Sequence, residues 1–150
     1  MKDTYTINEP ADFKSVIDDI FELTNTDQES ALVIALTGDL GAGKTAFTQE
    51  LGKKIGISES ITSPTFTVMK QYEFMHDKYD ELFHIDAYRI ENEDELRPLH
   101  IAELFTKPRT IVVVEWPEHI ASVVPRSAVS LIIKIVADNT REVVVQKRNR

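Results

Sequence analysis

The chain has 150 residues, 42% hydrophobic and 28% charged, which is enough for a core of its own in one domain covering 1–150. It has no cysteine, which excludes disulfides and thiolate metal sites, and its formal net charge of −8 argues against gripping RNA or DNA by the phosphates. No apolar run approaches the roughly 20 residues that span a bilayer, and the polar N-terminus lacks the pattern of a signal peptide, so a cytoplasmic protein with no membrane partner is expected.

Tyr5-Thr6-Ile7 is predicted to be a short first strand. Asn8 is the expected cap of a helix with Pro10 in its first turn, and Phe13, Val16, Ile17, Ile20 and Phe21 form one apolar face of it. Residues 25–30 are a polar loop. Ala31-Leu32-Val33-Ile34-Ala35-Leu36 then reads as a buried parallel strand. Immediately after it, Gly38-Asp39-Leu40-Gly41-Ala42-Gly43-Lys44-Thr45 fits G-x-x-x-x-G-K-[ST], the phosphate-binding P-loop. Phe47, Leu51 and Ile55 continue as a helical stripe that stops at Gly56.

Strand, glycine loop and helix are the context this motif needs. Glycines let backbone N–H groups converge on phosphate oxygens, and the helix N-terminus adds about half a positive charge. Lys44 is expected to reach the β- and γ-phosphates, and the Thr45 hydroxyl to ligate Mg²⁺.

Thr62-Ser63-Pro64-Thr65-Phe66 is a loop, because Pro64 disfavours helix on both sides. Its hydroxyls suit either a sensor of the γ-phosphate or a plain capped turn. Residues 67–74 and 82–85 are predicted strands, antiparallel across a turn at 75–80. Residues 93–105 are predicted helical with an interruption near Pro98, and 111–114 form a second buried strand. Val129, Leu131, Ile133 and Ile135 alternate with other side chains, and Asp138-Asn139-Thr140 turns the chain into 142–145 as a terminal hairpin. The basic run Lys147-Arg148-Asn149-Arg150 reads as a solvated tail. The expected fold is an α/β, P-loop NTPase-like sandwich with a mixed, partly parallel central sheet flanked by helices. Strands 31–36 and 111–114 are central and parallel in this reading, and the others are antiparallel additions.

Ligands in such sheets bind at the carboxyl ends of parallel strands. Glu115 falls at one of these ends and is the expected acidic partner of Mg²⁺, where an aspartate is commoner. His84-Ile85-Asp86-Ala87-Tyr88-Arg89 ends another strand, with His84 and Asp86 on one face. Asp86 is placed to orient an attacking water or accept its proton, or equally to hold Mg²⁺ through water. Tyr88 and Arg89 suit a pocket wall, although for His84 and Arg89 spacing alone favours a surface His and a structural salt bridge. Trp116 and Pro117 form either a packing corner or a wall of the nucleotide site.

Four motifs, GDLGAGKT at 38–45, SPTF at 63–66, HIDAYR at 84–89 and VEWPE at 114–118, occur in order at suitable spacing. Together they resemble the TsaE (YjeE) family of bacterial P-loop ATPases, which takes part in making threonylcarbamoyladenosine on tRNA. Ile90 stands where members often carry Leu. The resemblance implies ATP and Mg²⁺ as cofactors and a weak ATPase that acts with TsaD and TsaB and touches tRNA only through that complex. It implies that Lys44 and the loop residues Gly38, Asp39, Leu40, Gly41, Ala42 and Gly43 hold phosphates, that Thr45 and Glu115 hold Mg²⁺, that Asp86 is catalytic and that Trp116 lies beside the site. It also implies that Glu9 and Thr140, from the N-terminal segment and the last hairpin turn, join the nucleotide pocket.

A small-molecule or nucleotide kinase is the competing enzyme. It would need an acceptor site and an Arg-bearing lid, and between 66 and 110 only Arg89, Arg97 and Arg109 are available. A module that uses ATP occupancy as a switch without hydrolysis is a third reading. No N-K-x-D segment for reading guanine is present.

Overall fold

The computed structural model describes residues 3–24, 29–39, 41–62 and 68–147. Among these residues, seven strands form one sheet. They are β1 (Thr4–Ile7), β2 (Leu32–Thr37), β3 (Met69–Glu73), β4 (Glu81–Asp86), β5 (Thr110–Glu115), β6 (Val129–Ala137) and β7 (Thr140–Lys147), in the order β1-β7-β6-β2-β5-β4-β3. The mixed sheet matches expectation, but its parallel part is wider. β2 pairs in parallel with both β5 and β6, and β4 pairs in parallel with β5. Only β1, β3 and β7 are antiparallel additions. The single-face alternation of β6 looks like that of an antiparallel edge strand, which is why sequence pattern alone misassigned its partner.

The first helical segment begins as a 3-10 turn at Pro10–Asp12 and continues as α1 (Phe13–Leu23). Its cap differs from expectation. The Asp12 carboxylate reaches back to accept the backbone N–H groups of Asn8 and Glu9, at 2.8 and 3.2 Å. The cap position is Glu9, not Asn8. Helix α2 (Lys44–Ile55) ends at Gly56, whose φ of 95° only glycine adopts at no cost. Where one interrupted helix was expected at 93–105, a 3-10 helix at Glu93–Leu99 gives way to a short α3 (Ile101–Leu104), with His100 between them in the left-handed region. Pro98 cannot donate an N–H to an α-helical ladder, which accounts for the tighter form.

Two apolar layers cover the sheet. On one face Phe13, Val16, Ile17 and Ile20 of α1 and Phe47, Leu51 and Ile55 of α2 pack with Ile34, Leu36, Leu82, Ile111, Val113, Leu131 and Ile133. On the other, Leu96, Ile101, Phe105 and Ile120 pack with Val33, Phe83, Ile85, Val112 and Val114. Phe13 and Phe47 meet edge to face with centroids 5.6 Å apart, locking α1 against the first turns of α2. This packing fixes the N-terminus of α2 above the carboxyl ends of β2, β4 and β5.

Candidate active site

The loop between β2 and α2 is shaped by its glycines. Gly41 and Gly43 have φ of 82° and 113°, and Gly43 caps α2. Gly38 is needed for a different reason: a Cβ there would lie 2.7 Å from the backbone oxygen of Ile133 on β6. The N–H of Ala42 turns back to the carbonyl of Asp39 at 3.0 Å. Leu40 and residues 63–66, the SPTF segment, lie outside the described residues.

Lys44 opens α2 and is buried. Its Nζ donates to the Gly38 carbonyl at 2.7 Å and stands 4.0 Å from the centroid of the Trp116 ring. The loop thus holds its own cation folded inward, a geometry that keeps a buried ammonium hydrogen-bonded. Trp116 follows β5 with φ 58° and ψ 51°, a left-handed conformation that costs a bulky residue energy. Its ring contacts Tyr88 and His119, with centroids 5.0 and 5.8 Å away, so two rings from strand ends and one from the turn at Pro117–Ile120 form a cluster whose Trp116 member covers Lys44. Tyr88 and Arg89 are themselves exposed.

Asp86 and Glu115 are register partners at the ends of β4 and β5. Glu115 is buried, with 4% of its surface exposed, so it is not a solvent-facing strand end. His84 overturns the reading of a surface histidine. It is 0% exposed, and its Nε2 lies 2.5 Å from Oε2 of Glu115. Alternation along β4 placed His84 and Asp86 on one face, but the partner across the sheet needed the β4–β5 register, which no local signal carries.

Asp86 is half-buried and accepts the Tyr88 backbone N–H at 3.0 Å. Burial pushes its carboxyl above the usual carboxylate range. The Tyr88 N–H opposes this, the negative charge of Glu115 adds to it, and the charges of His84 and Lys44 oppose it. The folded state therefore holds the Asp86 proton more tightly than the unfolded chain does. Stability contributed by that proton is present below the unfolded value of 3.8 and is lost as pH rises through the folded-state value. Asp86→Asn is accordingly expected to raise the thermal unfolding midpoint at pH 7 and to give no gain below pH 3.8. Melting curves across pH check this, and a lower midpoint for the variant at pH 7 would contradict it.

A pocket of about 280 Å³ adjoins the loop, bounded by Glu9, Phe13, Gly41, Gly43, Asn139 and Arg141 among others. Glu9 thus borders it directly, whereas Thr140 is one step removed and donates its hydroxyl to the Asn8 side chain at 3.1 Å. Sequence reading missed Arg141. Its guanidinium donates to the Gly41 carbonyl at 3.3 Å and to the carbonyls of Ala137, Asp138 and Thr140, tying the last hairpin turn to the loop. The pairing spans 100 positions, and nothing local marks it.

The donor set suits a hard cation shared with a nucleotide. Among the described residues no cluster of three His, Cys, Asp or Glu forms a metal cage. One hydroxyl, Thr45, and one buried carboxylate, Glu115, are oxygen donors of the kind that hold Mg²⁺ together with phosphates and water. Also among the described residues, no helix is long and apolar enough to cross a membrane.

The sequence model of the family described as "Threonylcarbamoyl adenosine biosynthesis protein TsaE" matches residues 7–143. A Bacillus subtilis protein named tRNA threonylcarbamoyladenosine biosynthesis protein TsaE is 37% identical over 124 residues, covering 83% of this chain and 75% of its own. A Treponema pallidum protein of the same name is 36% identical over 117 residues, covering 78% of this chain and 83% of its own. The crystal structure of Bacillus subtilis YdiB superposes with a TM-score of 0.68 at 27% identity, over 97% of this chain and 85% of that one. Sequence and fold agree across nearly the whole length, and the chain belongs to the TsaE family.

Proposed function

We propose that this protein is a cytoplasmic Mg²⁺-dependent ATPase of the machinery that makes threonylcarbamoyladenosine on tRNA, resetting a TsaB–TsaD complex between turnovers. The observation that carries this reading is the convergence of the loop at 38–45, Lys44 at the start of α2, and the carboxyls of Asp86 and Glu115 at neighbouring strand ends, in a chain of this family. ATP would lay its phosphates on the N–H groups of Gly41, Gly43 and the first turn of α2, with Lys44 turning from the Gly38 carbonyl to the β- and γ-phosphates. Thr45 and Glu115 would hold Mg²⁺, which neutralises charge on those phosphates.

Asp86 would position the attacking water and take its proton. Burial raises its proton affinity in the direction a general base requires. The pocket beside Glu9 and Arg141 has room for part of the nucleoside. The charge of −8 fits a protein that reaches tRNA through partners and does not grip it directly.

Phosphate release measured with and without the two partner proteins tests this. Free phosphate that rises on adding the partners supports an ATPase, whereas ATP loss without free phosphate in the presence of an acceptor would mean a kinase. Lys44→Ala is expected to remove most of the thermal stabilisation that ATP confers, about 2.7 kcal/mol at 100 times Kd for the unaltered protein. Equal ATP-induced stabilisation of both proteins in melting experiments would take the nucleotide away from this loop.

A further inference from the structure

His84 sits in β4, between Phe83 and Ile85 and fully enclosed. A leucine or methionine of similar size would fill that space with no polar atom to satisfy. The imidazole instead carries a cost: its Nδ1 is buried and has no hydrogen-bond partner among the described residues. Its other nitrogen is tightly engaged, 2.5 Å from Oε2 of Glu115, itself only 4% exposed. A carboxylate has only acceptors, so Nε2 is the donor in that bond. An unmatched core atom beside a well-made bond to a strand-end carboxylate is a poor device for stability and a good one for orientation.

We propose that His84 is a positioning residue for the cation site: by engaging one oxygen of Glu115 it fixes the carboxylate and leaves the other oxygen to bind Mg²⁺. This rests on the reading of Glu115 as a magnesium ligand. The two residues come from adjacent strands in fixed parallel register, His84 beside Val113 and Asp86 beside Glu115, so the orientation is set by the sheet and not by a loop. Partners of this kind are typically worth 10- to 100-fold in metal affinity.

The test uses the full chain and Mg²⁺ itself. ATP binding is followed by fluorescence of the single tryptophan, Trp116, at increasing Mg²⁺, for the unaltered protein, His84→Met, His84→Gln and Glu115→Gln. His84→Met should raise the half-saturating Mg²⁺ concentration about tenfold or more while leaving metal-free ATP binding unchanged. His84→Gln, whose amide N–H can replace Nε2–H, should recover most of that loss, and His84→Met should add nothing in the Glu115→Gln background. If Glu115→Gln alters the Mg²⁺ dependence and folded His84→Met does not, the positioning role is wrong while the magnesium reading stands. If binding by the unaltered protein ignores Mg²⁺, the magnesium reading fails and the positioning role with it. Nitrogen-15 spectra of the unaltered protein give a measurement free of folding effects. The His84 ring should carry a proton on Nε2 and keep it there when Mg-ATP is added, and an Nε2 without a proton would overturn the proposal.

Discussion

Asp86→Asn is expected to leave Mg-ATP affinity within about threefold of normal and to lower partner-stimulated turnover by at least about 100-fold. The substitution conserves shape, and the amide oxygen can still accept the Tyr88 N–H that the carboxylate accepts at 3.0 Å. What it removes is the ability to take a proton. It also removes a negative charge beside Glu115, so binding of an anionic ligand should not suffer. Nucleotide titration and phosphate release, measured on the same preparation, separate the two effects. Turnover restored by excess Mg²⁺ would assign Asp86 to water-mediated metal binding, the alternative that strand-end placement alone leaves open. Near-normal turnover at ordinary Mg²⁺ would remove it from the chemistry.

The second large effect is on the loop's foundation. Gly38→Ala should cost about 1–3 kcal/mol of stability and weaken nucleotide binding, because its Cβ would lie 2.7 Å from a backbone oxygen of β6 and 3.3 Å from the Ala42 Cβ. Relief would require moving the loop, and the Gly38 carbonyl that receives Lys44 would move with it. Gly52→Ala is the control. Its Cβ would come even closer to an atom, 2.4 Å, but that atom is the terminal Cδ1 of Ile61, which can swing away. Alanine also gains about 1 kcal/mol in a helix interior, so this variant should stay within about 1 kcal/mol of the unaltered protein. Urea unfolding midpoints check the contrast, and equal midpoints for Gly38→Ala and the unaltered protein would show that the loop yields where the structure has it packed.

The buried strands β2 and β5, the end of α2 at Gly56 and the two hairpins were legible in the sequence because each is written in a short stretch: a β-branched run, a glycine after an apolar stripe, a turn between alternating segments. The P-loop was legible for the same reason. The Asn8 cap failed because Asp12, from inside the turn, accepts the N–H groups of Asn8 and Glu9, while the Asn8 side-chain oxygen accepts the Thr140 hydroxyl instead. The parallel pairing of β6 with β2, the His84–Glu115 contact and the Arg141–Gly41 contact failed for a common reason. Each depends on register between segments far apart in the chain, and an isolated histidine or arginine looks the same whether its partner is water or a buried carboxylate.

The strand that carries the P-loop has no neighbour close to it in sequence. β2 ends at Thr37, and its two sheet partners begin at Thr110 and Val129. During synthesis this strand therefore waits for more than half of the chain before both its hydrogen-bonding edges are satisfied. Closing such long loops is slow relative to forming hairpins or helices, and an apolar strand with two open edges invites pairing with other chains meanwhile. The loop at 38–45 thus gains its full sheet support only when β5 and β6 have paired with β2.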